Sequence, residues 1–174
     1  KLKIFIVTER NILMILSLSL LLRLIIIDRY STYPSLTSSF TSDEWHDVQV
    51  ILNMLNEKTL NPHSFVYPSL FYYISLILSI PAVLIFGQNW QILLITQRLI
   101  SISFALLTIA MTYNFAYKIY NERVALLSAF LLAVSPFHIE MSVTAKPDMI
   151  QLGLVMLSLY YCMSAIHTKK NNDY

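Results

Sequence analysis

Long runs of apolar residues constrain the fold of this chain more than any other feature of its sequence. Such runs make up most of the segments 12–27, 69–86, 91–117 and 149–166. Only 12 basic and 10 acidic residues occur among 174, and this charged fraction of 13% is about half that of a soluble globular protein. Stretches of this length and polarity are typical of helices that cross a lipid bilayer. The pattern therefore excludes an ordinary cytosolic enzyme.

The apolar pattern predicts an all-α, polytopic membrane protein with about four transmembrane helices. We interpret residues 1–174 as one membrane module with predicted spans at about 12–27, 91–117, 122–141 and 149–166. Between the first two spans, an outer loop over 28–90 is predicted to contain two helices that lie on the membrane surface, at about 43–57 and 69–86. Segment 69–86 is mostly apolar and contains Pro81, so its sequence would also allow it to cross the bilayer.

Polar residues within these segments carry further expectations. In the first surface helix, Trp45 and Val48 begin an apolar stripe, and Asp47 falls on the opposite, solvated face. Arg23 stands four residues before the end of the first span, and His138 stands near a segment end. Both side chains are predicted to reach the membrane interface, because long or amphipathic side chains extend their polar tips into water.

The distribution of basic residues predicts the topology. If segment 69–86 does not cross, seven basic residues lie on the cytoplasmic side and five lie outside. The cytoplasmic set is Lys1, Lys3, Arg10, Lys118, Arg123, Lys169 and Lys170, and the outer set is Arg23, Arg29, Lys58, Arg98 and Lys146. This bias favours four spans with both termini in the cytoplasm. The acidic pair Asp43–Glu44 and the segment 146–148 then face the same, outer side.

Several classes of site are excluded by composition. Two glycines are too few for a phosphate-binding loop or a dinucleotide-binding turn. The single Cys162 excludes an internal disulfide and a multi-cysteine zinc site. A net charge of +2 does not indicate a nucleic-acid partner.

Asp43 and Glu44 form the most acidic pair near the start of a predicted helix. A capping box from Thr41 to Glu44 explains both residues, because it satisfies free backbone amides at a helix start. The same position would allow a carboxylate at the membrane edge to accept a proton from a hydroxyl or amine nucleophile. The sequence leaves both interpretations open.

Arg98 lies inside an apolar span, eight residues after Trp90. A charge at that depth must reach the interface, be paired or face a watery cavity, and in a cavity its planar donor group suits a phosphate. Asp148 follows Lys146 and Pro147 at the start of the last span, where capping of the helix is the alternative to a functional role.

Five motifs, in this order, resemble the amino-terminal part of the GT-C membrane glycosyltransferases. They are Asp43–Glu44, Phe65–Tyr73, Gln97–Ser101, Ser135–His138 and Ser142–Asp148. The resemblance is to the protein O-mannosyltransferase and aminoarabinose-transferase-like group, the dolichyl-phosphate-mannose-protein mannosyltransferase family. It implies transfer of a hexosyl or pentosyl group from a polyprenyl-phosphate donor to an acceptor, with inversion, at the outer face of the plasma membrane.

The resemblance also implies roles for individual residues. Asp43 would be the catalytic base, and Glu44 would orient the base or the acceptor. Arg98 and Lys146 would bind the donor phosphate, with Lys146 standing where many relatives carry Arg. Asp148, His46 and Tyr67 would line the cavity. The expected partners are the polyprenyl-linked sugar, a lipid, glycan or protein acceptor, and membrane lipid. The sequence identifies no cofactor, although Asp43 and Asp148 could hold a divalent cation, Mg²⁺ or Mn²⁺.

Two other classes of function are compatible with the sequence. Family members run to several hundred residues, so an enzyme would be represented here by its amino-terminal part, which could be inactive on its own. The second interpretation is a non-catalytic membrane scaffold or a degenerate copy. The third interpretation is part of a transporter, suggested by Arg98 within a span and by proline-interrupted apolar segments.

Overall fold

The computed structural model describes residues 10–27 and 42–172, and within them every regular element is an α-helix. Predictions about residues 1–9, 28–41 and 173–174, including the cap at Thr41, lie outside the described residues. The helices are α1 (Arg10–Ile26), α2 (Ser42–Glu57), α3 (Ser69–Phe86), α4 (Trp90–Ile119), α5 (Glu122–Val134), α6 (Pro136–Ser142) and α7 (Asp148–Asn172). The prediction of an all-α, polytopic membrane protein is confirmed.

Local signals in the sequence set several helix ends. Gly87 ends α3 with a φ of 82°, a conformation that glycine adopts without strain, and its N–H bonds to the Val83 carbonyl. Asn89 begins α4 by accepting a hydrogen bond from the Gln91 N–H at 2.9 Å. Asn121 begins α5 in the same way, through the Val124 N–H.

Within the described residues, three helices are long and apolar enough to cross a bilayer, namely α3, α4 and the part of α7 up to Ile166. The bent pair of α5 and α6 would be a fourth span if its two helices cross together. At 17 residues, α1 is at the lower limit of length for a span. Placement of α3 on the membrane surface and of α1 across the membrane therefore both stay predictions.

The predicted span over 122–141 consists of two helices in the structure. The helix breaks at Ser135, and α5 and α6 meet at an angle of 61°. Pro136 explains the break, because it has no N–H to donate and it disfavours helical geometry at the preceding residue, where Ser135 has φ −60° and ψ 119°.

Arg23 and His138 meet at this break, so the prediction that both reach the membrane interface is wrong. Arg23 is fully buried and donates to the carbonyl of Ser19 at 2.9 Å, the carbonyl of Ala133 at 3.2 Å and Nδ1 of His138 at 2.7 Å. The bend frees acceptors that a continuous helix would have occupied, and a buried guanidinium needs such acceptors. Tertiary contact between α1 and α5 therefore replaces exposure to the interface.

The long helix α4 is the centre of the molecule, with α7 and α5 as its most extensive neighbours. One cluster of buried residues joins α2, α3 and the first half of α4, and it includes Ile51, Tyr72 and Leu94. A second cluster joins α1, α5 and the second half of α4, where the small side chains of Ala125 and Ala129 allow close helix packing. The first cluster supports the end of the molecule where the predicted site residues lie.

Candidate functional site

Most of the residues predicted from the sequence meet at one end of the helix bundle. Asp43 and Glu44 come from the first turn of α2, and Arg98 comes from α4. Lys146 lies in the segment 143–147 between α6 and α7, and Asp148 is the first residue of α7. The chain thus brings together side chains that are about 50 to 100 residues apart in sequence.

Glu44 and Arg98 form a buried, two-pronged ion pair. Arg98 Nε lies 2.7 Å from Oε1 of Glu44, and its terminal NH2 lies 3.0 Å from Oε2. The two side chains are 0% and 1% exposed. Such a pair is strongly coupled, because removal of either partner leaves a buried charge without compensation.

The same pair organises the backbone around it. Oε1 of Glu44 also accepts the N–H of Ala145 at 2.9 Å, and Arg98 donates to the carbonyl of Ile27 at 2.7 Å. The ion pair therefore joins α2 and α4 to the segment 143–147 and to the end of α1. Arg98 is paired, which is one of the three arrangements that its depth in the membrane requires.

Asp43 lies at the open edge of this end of the bundle. Its side chain is 48% exposed, and Oδ2 accepts a hydrogen bond from Nζ of Lys146 at 3.0 Å. Burial by itself would lower the pKa of Lys146, but the hydrogen bond and the charge of Asp43 outweigh that effect and raise it. Lys146 is therefore a cation beside a solvent-accessible carboxylate.

Tyr67 and Asp148 lie near the same two groups. Burial raises the pKa of the Tyr67 phenol, and the negative charges of Asp43, Asp47 and Asp148 raise it further. Tyr67 thus remains a hydrogen-bond donor at neutral pH. Asp148 is exposed at the start of α7.

An apolar cavity of about 460 Å³ adjoins these residues between α3 and α7. Tyr67 and Asp148 line it, together with Phe71, Ile150 and Leu154. His46 does not line this cavity, and its Nε2 instead lies 2.9 Å from Oγ of Ser64. An apolar cavity therefore lies directly beside the polar side chains of the candidate site.

Asp47 is predicted from the sequence to lie on the solvated face of the first surface helix, and this prediction is wrong. The side chain is 0% exposed, because α2 packs against both α3 and α4. The Tyr72 hydroxyl donates to Oδ1 of Asp47 at 3.0 Å, whereas Oδ2 is buried with no hydrogen-bond partner in the described ranges 10–27 and 42–172. Burial raises the pKa of Asp47 to about 7 despite the hydrogen bond from Tyr72. The one available sequence signal was the spacing of four residues from Asp43.

In the part of the chain that the structure describes, no group of three or more His, Cys, Asp or Glu residues is arranged to hold a metal ion. Oδ2 of Asp43 is bonded to an ammonium group instead. A divalent cation at Asp43 and Asp148 therefore stays a prediction that would need ligands from elsewhere.

Comparison with known protein families gives a match over most of the chain. A protein-family model described as dolichyl-phosphate-mannose-protein mannosyltransferase matches residues 68–174, well over half of the chain. The matched part includes Arg98, Lys146 and Asp148 and begins after Asp43 and Glu44. No curated protein and no solved structure matches the chain.

Proposed function

The chain belongs to the dolichyl-phosphate-mannose-protein mannosyltransferase family, and on that premise we propose that it transfers a sugar from a polyprenyl-phosphate donor to an acceptor hydroxyl or amine. The family consists of membrane glycosyltransferases of the GT-C type. The observation that carries the finer proposal is the position of Asp43. This half-exposed carboxylate stands beside the ammonium of Lys146 and near an apolar cavity.

Asp43 is the proposed catalytic base. The acceptor oxygen or nitrogen attacks the anomeric carbon, its proton passes to a carboxylate oxygen of Asp43, and the bond from that carbon to the phosphate oxygen breaks. A single displacement of this kind inverts the anomeric carbon. The leaving polyprenyl phosphate takes the bonding electrons, so a nearby cation lowers the barrier more than an acid would.

Lys146 is the proposed cation for the leaving phosphate. Its flexible stem and single ammonium allow it to move from Asp43 toward a phosphate when the donor binds. Tyr67 and Asp148 are proposed to contact the polar part of the donor or acceptor, because both border the same cavity. His46 of α2 bonds to Ser64 and is proposed to hold the segment between α2 and α3 in place beside the site.

Glu44 and Arg98 receive a different role from the one implied by the resemblance. The Arg98 guanidinium already donates to Glu44 and to Ile27, so binding of a phosphate by Arg98 would require this buried pair to open. We assign to the pair the task of fixing the first turn of α2 against the segment 143–147. That task places Asp43 beside Lys146.

The cavity between α3 and α7 is proposed to receive part of the polyprenyl chain. Its lining is mostly apolar, and apolar pockets with a few polar groups at one side are typical of sites for amphipathic ligands. The acceptor is a lipid, glycan or protein, and the membrane is proposed to be the plasma membrane with the site facing outward. The donor sugar is a hexose or pentose.

The test uses the full-length protein in detergent or lipid with dolichyl-phosphate-[14C]mannose as donor, and follows loss of label from the donor. Replacing Asp43 by Asn keeps the size of the side chain and removes the base. We expect turnover to fall by about 10²- to 10⁴-fold with little change in donor binding.

Glu57→Gln is the matched control, because it removes an exposed carboxylate from the other end of the same helix. It is expected to keep wild-type turnover. An Asp43→Asn variant with normal turnover would remove the proposed base from the mechanism.

A further inference from the structure

A buried acid that the proposed reaction does not use lies one helical turn from the proposed base. Asp47 follows Asp43 by four residues on α2, a spacing that places two side chains on one helix face with their Cβ atoms about 5–6 Å apart. Asp47 is 0% exposed, whereas the side chain of Asp43 is 48% exposed. The two carboxyl groups are therefore close in space but differ greatly in their contact with water.

Asp47 is held in place by a chain of three hydrogen bonds. The Tyr72 hydroxyl donates to Oδ1 of Asp47 at 3.0 Å. Because Tyr72 has one hydroxyl hydrogen, the 3.3 Å contact with Ser64 is a bond donated by Ser64. By the same reasoning Nε2–H of His46 donates to Ser64 at 2.9 Å. The three bonds are therefore donated in one direction, from His46 to Ser64, from Ser64 to Tyr72 and from Tyr72 to Asp47.

The other oxygen of Asp47 has no such support. Oδ2 is buried and has no hydrogen-bond partner among the residues that the structure describes, an arrangement that penalises the ionised form more than the protonated form. Both forms are thus compatible with this site, since the hydrogen bond to Oδ1 favours the ionised group and the burial of Oδ2 favours the neutral one. Burial raises the pKa of Asp47 to about 7, which agrees with this balance.

The charges around Asp47 come from every element beside it. On α2, Asp43 repels a negative charge at Asp47, and His46 begins the chain of hydrogen bonds. From α3, Tyr72 donates to Oδ1, and in the preceding loop Tyr67 lies within range of the charge on Asp47. From the other side, Lys146 attracts a negative charge at Asp47 and Asp148 repels one, while Arg98 on α4 is paired with Glu44.

We propose that Asp47 is a positioning residue for the transfer reaction, and that the charge on its buried carboxyl group sets how strongly Asp43 attracts the acceptor proton. The inference rests on the proposed function of Asp43 as the base. If the Cβ spacing of about 6 Å is taken as the separation of the charges, and the effective dielectric constant at this partly hydrated edge is about 40, a negative charge on Asp47 raises the proton affinity of Asp43 by roughly tenfold. A stronger base accepts the acceptor proton more readily, provided that it is itself ionised.

The expected sign of the pH dependence follows from this coupling. At pH below about 7 Asp47 is neutral, and Asp43 is the weaker base. As the pH rises through about 7, Asp47 loses its proton and Asp43 becomes the stronger base. The rate of sugar transfer should therefore rise by up to about tenfold across this range.

The test measures kcat as a function of pH with full-length protein and dolichyl-phosphate-[14C]mannose. The range from pH 5.5 to pH 8.5 is chosen because histidine and perturbed carboxyl groups titrate within it. Asp47→Asn imitates the neutral acid, so its profile should lack the rise near pH 7 and stay at the low-pH level. Tyr72→Phe removes the hydrogen bond that favours the ionised form and should move the midpoint to higher pH. Glu57→Gln and Tyr73→Phe are the matched controls and should keep the wild-type profile.

A second measurement does not depend on activity. Infrared difference spectra recorded across the same pH range should show a protonated carboxyl band in the wild-type protein that disappears near pH 7 and is absent from Asp47→Asn. An Asp47→Asn variant that keeps both the rise in rate and the infrared band would overturn the inference. Absence of transfer from the donor at every pH, with the infrared band present, would instead contradict the proposed function and leave the ionisation of Asp47 established.

Discussion

Arg98 and Lys146 are cations at the same end of the bundle, but the chain holds them in different ways. Arg98 is 1% exposed and makes two bonds to Glu44, whereas Lys146 makes one bond to a half-exposed carboxylate. A planar guanidinium suits a fixed, buried partner, and a single ammonium on a flexible stem suits a partner that changes. At the scale of the residue, this difference supports a structural role for the buried pair Glu44–Arg98 and a role in the reaction for the more exposed pair Asp43–Lys146.

The buried pair makes a direct prediction for stability. Replacing Glu44 by Gln leaves the Arg98 guanidinium buried without its charge partner, so we expect a loss of about 3–5 kcal/mol in the free energy of unfolding. Thermal or denaturant unfolding of the full-length protein in detergent micelles measures the loss. Glu57→Gln is the control, because its carboxylate is exposed, and it should show no measurable change.

A double variant shows whether the loss comes from the uncompensated charge. Glu44→Gln combined with Arg98→Met removes both charges and should recover part of the stability. Equal stability of Glu44→Gln and the wild-type protein would mean that the ion pair does not stabilise the fold.

At the scale of the helix, breaks and close approaches position the site. The break at Ser135 turns the chain from α5 into α6, and α6 leads into the segment 143–147 that carries Lys146. Arg23 joins α1 to both sides of this break through Ala133 and His138. The position of Lys146 therefore depends on contacts between helices that are distant in sequence.

The contact between α4 and α7 leaves little room for a side chain at Gly153. A Cβ atom added to Gly153 would lie 3.0 Å from Cδ1 of Phe104 and 3.2 Å from its carbonyl oxygen. Because membrane helices associate mainly through packing, we expect Gly153→Val to separate them and to lower the free energy of unfolding by about 1–3 kcal/mol.

The melting temperature in detergent micelles measures this effect. About 2–4 °C of melting temperature is lost for each kcal/mol in a protein of this size. Leu159→Val is the control, since Leu159 lies on the same helix with an exposed side chain, and its melting temperature should not change. If Gly153→Val has the same melting temperature as the wild-type protein, the close contact between α4 and α7 at this position does not contribute to stability.

At the scale of the whole molecule, the number of crossing helices decides which ends share a side of the membrane. The polar cluster of Asp43, Glu44, Arg98 and Lys146 lies at one end of α4, and Lys118 lies near the other end. The connection between α4 and α5 at Asn121 is therefore separated from the cluster by the part of α4 that runs from Arg98 to Ile119. If the cluster faces outward, Asn121 faces the cytoplasm.

Cysteine labelling of intact cells tests this orientation. In a Cys162→Ser background, Lys58→Cys should react with an impermeant maleimide from outside, because Lys58 is an exposed residue in the predicted outer loop. Asn121→Cys should react only after the cells are permeabilised. Labelling of Asn121→Cys in intact cells would contradict the predicted topology.

Much of the fold could be predicted from the sequence, because the signals involved are local. Apolar runs indicate the long helices, and Pro136 and Gly87 mark a break and a helix end. The site residues Asp43, Glu44, Arg98 and Lys146 stand out as charges in an apolar chain. The sequence therefore shows which charged residues are candidates for the site, but it does not show which of them form ion pairs.

The sequence by itself determined that this is a helical membrane protein and which charged side chains belong to its candidate site. Only the tertiary structure decided that Arg98 binds Glu44, that Lys146 binds Asp43, and that Asp47 and Arg23 are buried. The physical reason is that hydropathy and capping act between neighbours in the chain. The pairing of a charge and the exclusion of water from it depend on side chains that lie 25 to 115 residues away.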